Sequence, residues 1–132
     1  MPHVIVEYSA NIEDKIRVPL LLAALHEAMD QSGIAEIAGL RTRGECRDDF
    51  RIADNHPANG FVAIIVRIAQ GRPLETRKMV LEKVTTAANK HLEGVFASTP
   101  LALSVEVQEI DPVLRVNRSN IRDWMKTREN AA

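Results

Sequence analysis

Apolar and polar positions alternate in some stretches of this chain and recur every third or fourth residue in others. His3 to Tyr8 (H-V-I-V-E-Y) is β-branched and partly alternating, which predicts a strand almost at the start of the sequence. A strand there holds the first residues in a sheet instead of leaving them to fray. After Ser9-Ala-Asn11 the spacing changes. Val18, Leu21, Leu22, Leu25, Ala28 and Met29 recur at helical intervals. Pro19 suits the first turn, where its missing N–H costs little. Gly33 follows the last turn, where a left-handed cap forms. Ile37 to about Ile52 predicts a second strand, irregular because Glu45, Arg47, Asp48, Asp49 and Arg51 crowd its later half. Asp54 to Gly60 (D-N-H-P-A-N-G) is a turn-rich connection.

The order then repeats. Phe61 to Ala69 (F-V-A-I-I-V-R-I-A) is the most strand-like stretch, and its near-continuous apolarity predicts burial on both faces. Gln70-Gly-Arg-Pro73 is a tight connection. A helix follows from about Pro73 to Glu93, with Val80, Leu81, Val84, Ala88, Leu92 and Val95 on one face and Gly94 near its end. Leu101 to Ile110 alternates cleanly as a fourth strand. Strand–helix–strand thus occurs twice, over about 1–58 and 59–112, within a single domain 1–132 that ends in a C-terminal arm, 113–132. Each unit implies two parallel strands joined by a right-handed helical crossover. Two fused β-α-β units give an α+β fold: a four-stranded sheet with both helices on one face. The other face is then bare, and identical subunits are expected to cover it.

Composition narrows the function. Of 132 residues, 45% are hydrophobic and 27% charged, enough for one core and too apolar for a disordered chain. Seventeen basic against eighteen acidic residues leave a formal charge of -1, which argues against non-specific binding to nucleic acid or an anionic membrane. The single cysteine, Cys46, cannot form an internal disulfide or a multi-cysteine zinc site and suits a reducing, cytoplasmic setting. No apolar run approaches the roughly 18 residues that cross a bilayer. Lys15 to Leu25 reads as an amphipathic helix and not as a secretion signal. His3, His26, His56 and His91 lack metal-ligand spacing. The arm from Val113 carries five basic and two acidic residues, and Asn120 is placed to cap a short helix whose Ile121, Trp124 and Met125 share a face. It reads as a docking arm on its own or a neighbouring subunit, with a contact to nucleic acid or an acidic partner as the alternative.

G-x-G-x-x-G, Walker, H-E-x-x-H and G-x-S-x-G patterns are absent. What remains is Met1-Pro2 opening directly into a strand. Removal of the initiator methionine, common before a small second residue, would make Pro2 N a free secondary amine. An α-amino group titrates near ~8. Burial and nearby cations both disfavour its protonated form, so it could take a proton near pH 7 and return it as an acid. Arg41 stands just after Gly39-Leu40, and Arg72 lies beside Gly71; both flank regular elements, where sites gather. Their planar forks suit two-point binding of carboxylates. A neutral amine with two arginines suits a dicarboxylate or tricarboxylate.

The text M-P-H-V-I-V-E-Y-S-A-N-I at the start, G-I-A-E-I-A-G-L-R-T-R at 33–43, I-A-D at 52–54, G-R-P-L-E-T-R at 71–77 and L-A-L-S-V-E-V-Q-E-I-D-P at 101–112 resembles the 5-carboxymethyl-2-hydroxymuconate isomerases of the tautomerase superfamily. The resemblance covers most of residues 1–115. It implies a homotrimer of tautomerase-like subunits using no metal or organic cofactor. It also implies a 1,3-allylic proton shift giving the 2-oxo-3-ene isomer, in homoprotocatechuate-type aromatic catabolism. The catalytic proline carries onto Pro2, and the carboxylate-holding arginines carry onto Arg41 (G-L-R) and Arg72 (G-R-P-L-E). The second repeat begins inside the chain near Gly60 and offers no free amine there, so one catalytic amine per subunit and three per trimer are expected. Two other readings stay open: a superfamily enzyme acting on another 2-oxo or enol acid, and a non-catalytic oligomer that binds a small acid or a protein partner.

Overall fold

The computed structural model describes residues 1–131. Strands β1 (His3–Ser9), β2 (Arg41–Arg47), β3 (Gly60–Ala69) and β4 (Leu101–Ile110) form one sheet in the order β2-β1-β3-β4. β1 and β2 are parallel, β3 and β4 are parallel, and the two pairs meet through antiparallel β1 and β3. Helix α2 (Val18–Gln31) links the first pair and α3 (Leu74–Ser98) the second.

Both long helices cover one sheet face. Val4, Val6 and Tyr8 of β1 and Val62, Ile64, Val66 and Ile68 of β3 point into the core, against Leu21, Leu25 and Met29 of α2 and Val80, Val84, Ala88 and Leu92 of α3. Alternation in β1 and β3 puts every second residue under the helices, and this burial drives the layering. The burial on both faces expected for β3 is not found within one chain. Its odd-numbered positions, Phe61, Ala63, Ile65, Arg67 and Ala69, are only half-buried on the helix-free face. Ile5 of β1 stands opposite Ile65 there. A stripe of apolar side chains is left without a covering layer.

Several element limits differ from those expected. A separate short helix, α1 (Glu13–Ile16), precedes α2, and the break falls at Arg17, whose φ of 49 is left-handed. Pro19 lies in the first turn of α2 and Gly33 adopts φ 69, as the sequence predicts. The second strand is shorter than Ile37–Ile52, because Ile37–Gly39 forms a 3-10 turn and the charged residues after Arg47 leave the sheet. Helix α3 runs past Gly94 to Ser98, and Thr99 returns to extended backbone. In the arm, a 3-10 turn at Pro112–Leu114 leads to α4 (Ile121–Ala131). Its entry differs from the expected Asn120 side-chain cap. The Ile121 N–H donates to Ser119 Oγ at 3.2 Å, and Asn120 contributes its backbone carbonyl to Trp124 N at 3.2 Å. Among the described residues, no helix is long and apolar enough to cross a membrane.

Candidate active site

The topology gathers four chain segments at one edge of the sheet. Pairing His3 with Arg41 in parallel register sets the start of β2 beside the start of β1. Pairing His3 with Arg67 in antiparallel register brings the end of β3 to the same place. β4 runs parallel to β3, so Ile110 lies opposite Ala69 and the chain after β4 emerges there too. Pro2, buried just ahead of β1, accepts a hydrogen bond at its carbonyl from Arg41 N at 3.3 Å. Gly71, at φ 112, makes the turn out of β3 that a side-chain-bearing residue would resist, and Arg72 follows it.

The guanidinium groups here are held by neutral acceptors. Arg72 donates from Nη1 to Ala69 O at 3.2 Å and from Nη2 to Ile34 O. Arg41 donates from Nη2 to Asn117 Oδ1 at 2.9 Å, and its Nη1 stands 3.3 Å from His3 Nε2. Arg43 Nη1 faces the other ring nitrogen, His3 Nδ1, at 3.1 Å. Arg115 donates from Nη2 to Met1 O at 3.1 Å. Among the described residues, none of Arg41, Arg43, Arg67, Arg72 or Arg115 pairs with a carboxylate; the ion pairs use Arg47, Arg77 and Arg122. The site is therefore a concentration of positive charge whose counter-anion is not part of the subunit.

That charge acts on two titratable groups. The amino group of Met1 is pushed below its usual 8.0, first by burial and then by Arg115, Arg72 and Arg41. Burial, followed by Arg43, Arg41, Arg115 and Arg67, brings His3 down to about 4. Neutral imidazole can accept a hydrogen bond at only one ring nitrogen, so the two facing guanidiniums leave no room for a second proton. His3 thus gives a pH dependence of known sign. Above pH 6.5 it is neutral whether the chain is folded or not. As pH falls from 6.5 towards 4 the unfolded chain takes a proton that the folded chain refuses, and stability declines. Denaturant melts of His3→Asn should lose less stability over that interval than those of the parent chain, and the His3 ring in an NMR titration should stay neutral at pH 5.

Within one subunit the space beside Pro2 is small. A cleft of about 10 Å³ lies between Pro2, Ile34, Ala35, Ile68 and Arg72, with Met1 forming part of its wall. That is room for about one water molecule. Met1 also occupies space over Gly39, where its Sδ fills the position a Cβ would take. A much larger depression, about 1350 Å³, runs between α2 and α3 on the outer surface and includes none of Pro2, Arg41 or Arg72. It is the open valley between two helices, remote from the gathered arginines.

The three residues singled out from sequence, Pro2, Arg41 and Arg72, come together at one sheet edge. Sequence reasoning did not find Arg115, His3 or Arg43 as their neighbours. The signal for Arg43 and His3 was strand register; the signal for Arg115 was the direction of β4. Met1 is present in the structure, so Pro2 N is an amide here.

Comparison with known proteins is consistent with this architecture. The sequence profile of the family described as 5-carboxymethyl-2-hydroxymuconate isomerase matches residues 2–125, which takes it past Arg115 into α4. A 5-carboxymethyl-2-hydroxymuconate Delta-isomerase of Escherichia coli is 32% identical over 126 residues, covering 96% of this chain and 100% of that protein. The crystal structure of a 5-carboxymethyl-2-hydroxymuconate isomerase from Deinococcus radiodurans R1 is similar with a TM-score of 0.86 at 27% identity, over 94% of this chain and 93% of the other. A fused 4-OT symmetric trimer shares the fold with a TM-score of 0.64 at 20% identity, over 89% and 92% of the two chains. With a profile match along nearly the whole chain and a relative aligned over its full length, this chain belongs to the 5-carboxymethyl-2-hydroxymuconate isomerase family.

Proposed function

We propose that this protein converts 5-carboxymethyl-2-hydroxymuconate to its 2-oxo-3-ene isomer, with Pro2 as acid and base once Met1 has been removed. The observation that carries this reading is the set of carboxylate-free guanidiniums, Arg41, Arg72 and Arg115, around the amino terminus. Burial and these cations lower the Met1 amine, and they would lower a freed Pro2 amine in the same direction, so its nitrogen is neutral when substrate arrives. The 2-hydroxyl proton is lost and a dienolate forms, with charge shared between the C2 oxygen, C3 and C5. Pro2 takes a proton and returns it to C5. C2–O becomes the carbonyl, C3–C4 becomes the double bond and C4–C5 becomes single, so atoms and charge balance. Arg72 and Arg41 orient carboxylates and stabilise the dienolate. The reaction needs no metal or organic cofactor, and it fits cytoplasmic degradation of homoprotocatechuate-type aromatic acids.

Loss of Met1 does two things at once. It converts the Pro2 amide to an amine, and it vacates the space over Gly39 and beside the cleft. The reading is tested by intact mass together with turnover. The mature chain should lack methionine and consume the hydroxymuconate faster than phenylpyruvate enol. A chain that binds carboxylates without exchanging a carbon-bound proton in deuterated water is a binding protein instead.

The uncovered apolar stripe of Ile5, Ala63, Ile65 and Phe61 supports assembly as a homotrimer, with one amine per subunit and three per trimer. Sedimentation at micromolar concentration should give three times the 14.7 kDa subunit mass; a monomer would remove the trimer from the reading.

A further inference from the structure

We propose that Arg115 is a third substrate-binding arginine and that it holds the carboxymethyl carboxylate, the anionic group that sets this substrate apart from plain 2-hydroxymuconate; the assignment rests on the reaction proposed above. Arg115 lies beyond both β-α-β units. After Ile110, the Asp111 carboxylate accepts from Val113 N at 2.9 Å and stabilises the turn at Pro112–Leu114. The next residues run back across the site. Asn117 Oδ1 accepts from Arg41, and Arg122 pairs with Glu36, close to the Ile34 and Ala35 wall of the cleft.

This segment is inside out. Val113, Leu114 and Val116 are 85%, 84% and 97% exposed, while the charged Arg115 between them is half-buried and turned towards the amino terminus. Packing alone would favour the opposite arrangement. The acceptor that Arg115 has, Met1 O, is two covalent bonds from Pro2 N, so Arg115 Nη2 lies within about 6 Å of that nitrogen. The same oxygen departs with Met1, and no other hydrogen-bond partner for this guanidinium is found among the described residues.

The chemistry identifies what replaces it. Pro2 delivers its proton to C5, with N and C roughly 3–3.5 Å apart. C5 bears both the C6 carboxylate and the carboxymethyl arm. A carboxylate attached at or one carbon beyond C5 is therefore in reach of a guanidinium that lies within about 6 Å of the amine. Arg41 and Arg72 come from the repeated units, and the substrate carries three carboxylates for three guanidiniums.

The test compares Arg115→Gln and Arg115→Lys with the parent chain, all lacking Met1. On 5-carboxymethyl-2-hydroxymuconate, Arg115→Gln should lose roughly 10- to 100-fold in kcat/KM, the size of a hydrogen bond to a charged group. On 2-hydroxymuconate, which lacks the arm, it should lose less than about threefold when both substrates are assayed at a pH above the amine's titration in every chain, where a shift of the amine no longer changes the rate. Arg115→Lys should keep part of the preference as a point charge. Binding of propane-1,2,3-tricarboxylate against glutarate, followed by NMR, makes the test independent of turnover, and the tricarboxylate alone should weaken in Arg115→Gln. Equal losses on both ligands, or no loss, overturn the assignment. If the parent chain turns over neither hydroxymuconate while the binding preference still depends on Arg115, the proposed reaction fails and the Arg115 assignment stands.

Discussion

A chain that retains Met1 should isomerise the hydroxymuconate roughly 100- to 10,000-fold more slowly than one that begins at Pro2, the range that a positioned acid–base group contributes. The reason is covalent. In Met1-Pro2 the proline nitrogen shares its lone pair with the Met1 carbonyl and has no useful basicity. Met1 also fills the space over Gly39. The comparison is made with a cleavable leader ahead of the chain: uncut protein is the acylated form, and cleavage between Met1 and Pro2 restores the amine in the same preparation. Pro2→Ala, after Met1 removal, keeps a terminal amine but loses the rigid secondary one, and should fall between the two.

The pH profile adds a sign. Burial and the neighbouring cations hold the Met1 amine below 8.0; a Pro2 amine freed beside the same groups should be lowered in the same direction, and its active resting form is neutral. kcat/KM should therefore rise with pH through a value below 8.0. Removing Arg115, the cation that acts most strongly on the Met1 amine, in Arg115→Gln should move that rise upward. Full activity in the acylated chain would falsify the assignment of Pro2.

How much of this was legible in the sequence depended on which force set each feature. β1, β3 and β4 follow the alternation of apolar residues, because burial under the helices selects every second side chain. The break at Arg17 was hidden, because Ile12, Ile16, Leu21 and Leu25 are all buried on both sides of it and the apolar spacing runs on through it. Helix α3 passes its glycine because nothing at Gly94 demands a positive φ, and no capping residue stops the helix before Thr99. Pro2, Arg41 and Arg72 could be named from local motifs. Their meeting at one edge needed the sheet order. Arg115 was not legible from its neighbours Leu114 and Val116, whose apolar character suggests burial, whereas the structure exposes them and turns the charge inward.

Arg72→Ala should lower kcat/KM roughly 100- to 1,000-fold, with most of the loss in kcat, as when a preorganised charge-stabilising donor is removed. Arg72 is the most firmly set of the gathered arginines. Its two terminal nitrogens are tied to the carbonyls of Ala69 and Ile34, from two different segments, and its own carbonyl accepts from Arg77 Nε at 3.2 Å. Among the described residues, the Arg41 guanidinium is held through side chains, those of Asn117 and His3. A fixed guanidinium does not reorganise as dienolate charge develops, so its effect falls on the transition state. The same ties complicate the experiment, because Arg72→Ala leaves two carbonyls short of a donor and should also cost about 1–3 kcal/mol of stability. Arg77→Ala supplies the control. It removes the hydrogen bond to Arg72 O and the 3.6 Å pairing with Glu109 but leaves the Arg72 guanidinium in place. If the loss in kcat follows stability, both variants should be slow in proportion to their melting shifts. If Arg72 acts on the substrate, Arg72→Ala should be slow at temperatures where it is fully folded, and Arg77→Ala should not. An unchanged kcat/KM in folded Arg72→Ala would remove this arginine from the chemistry.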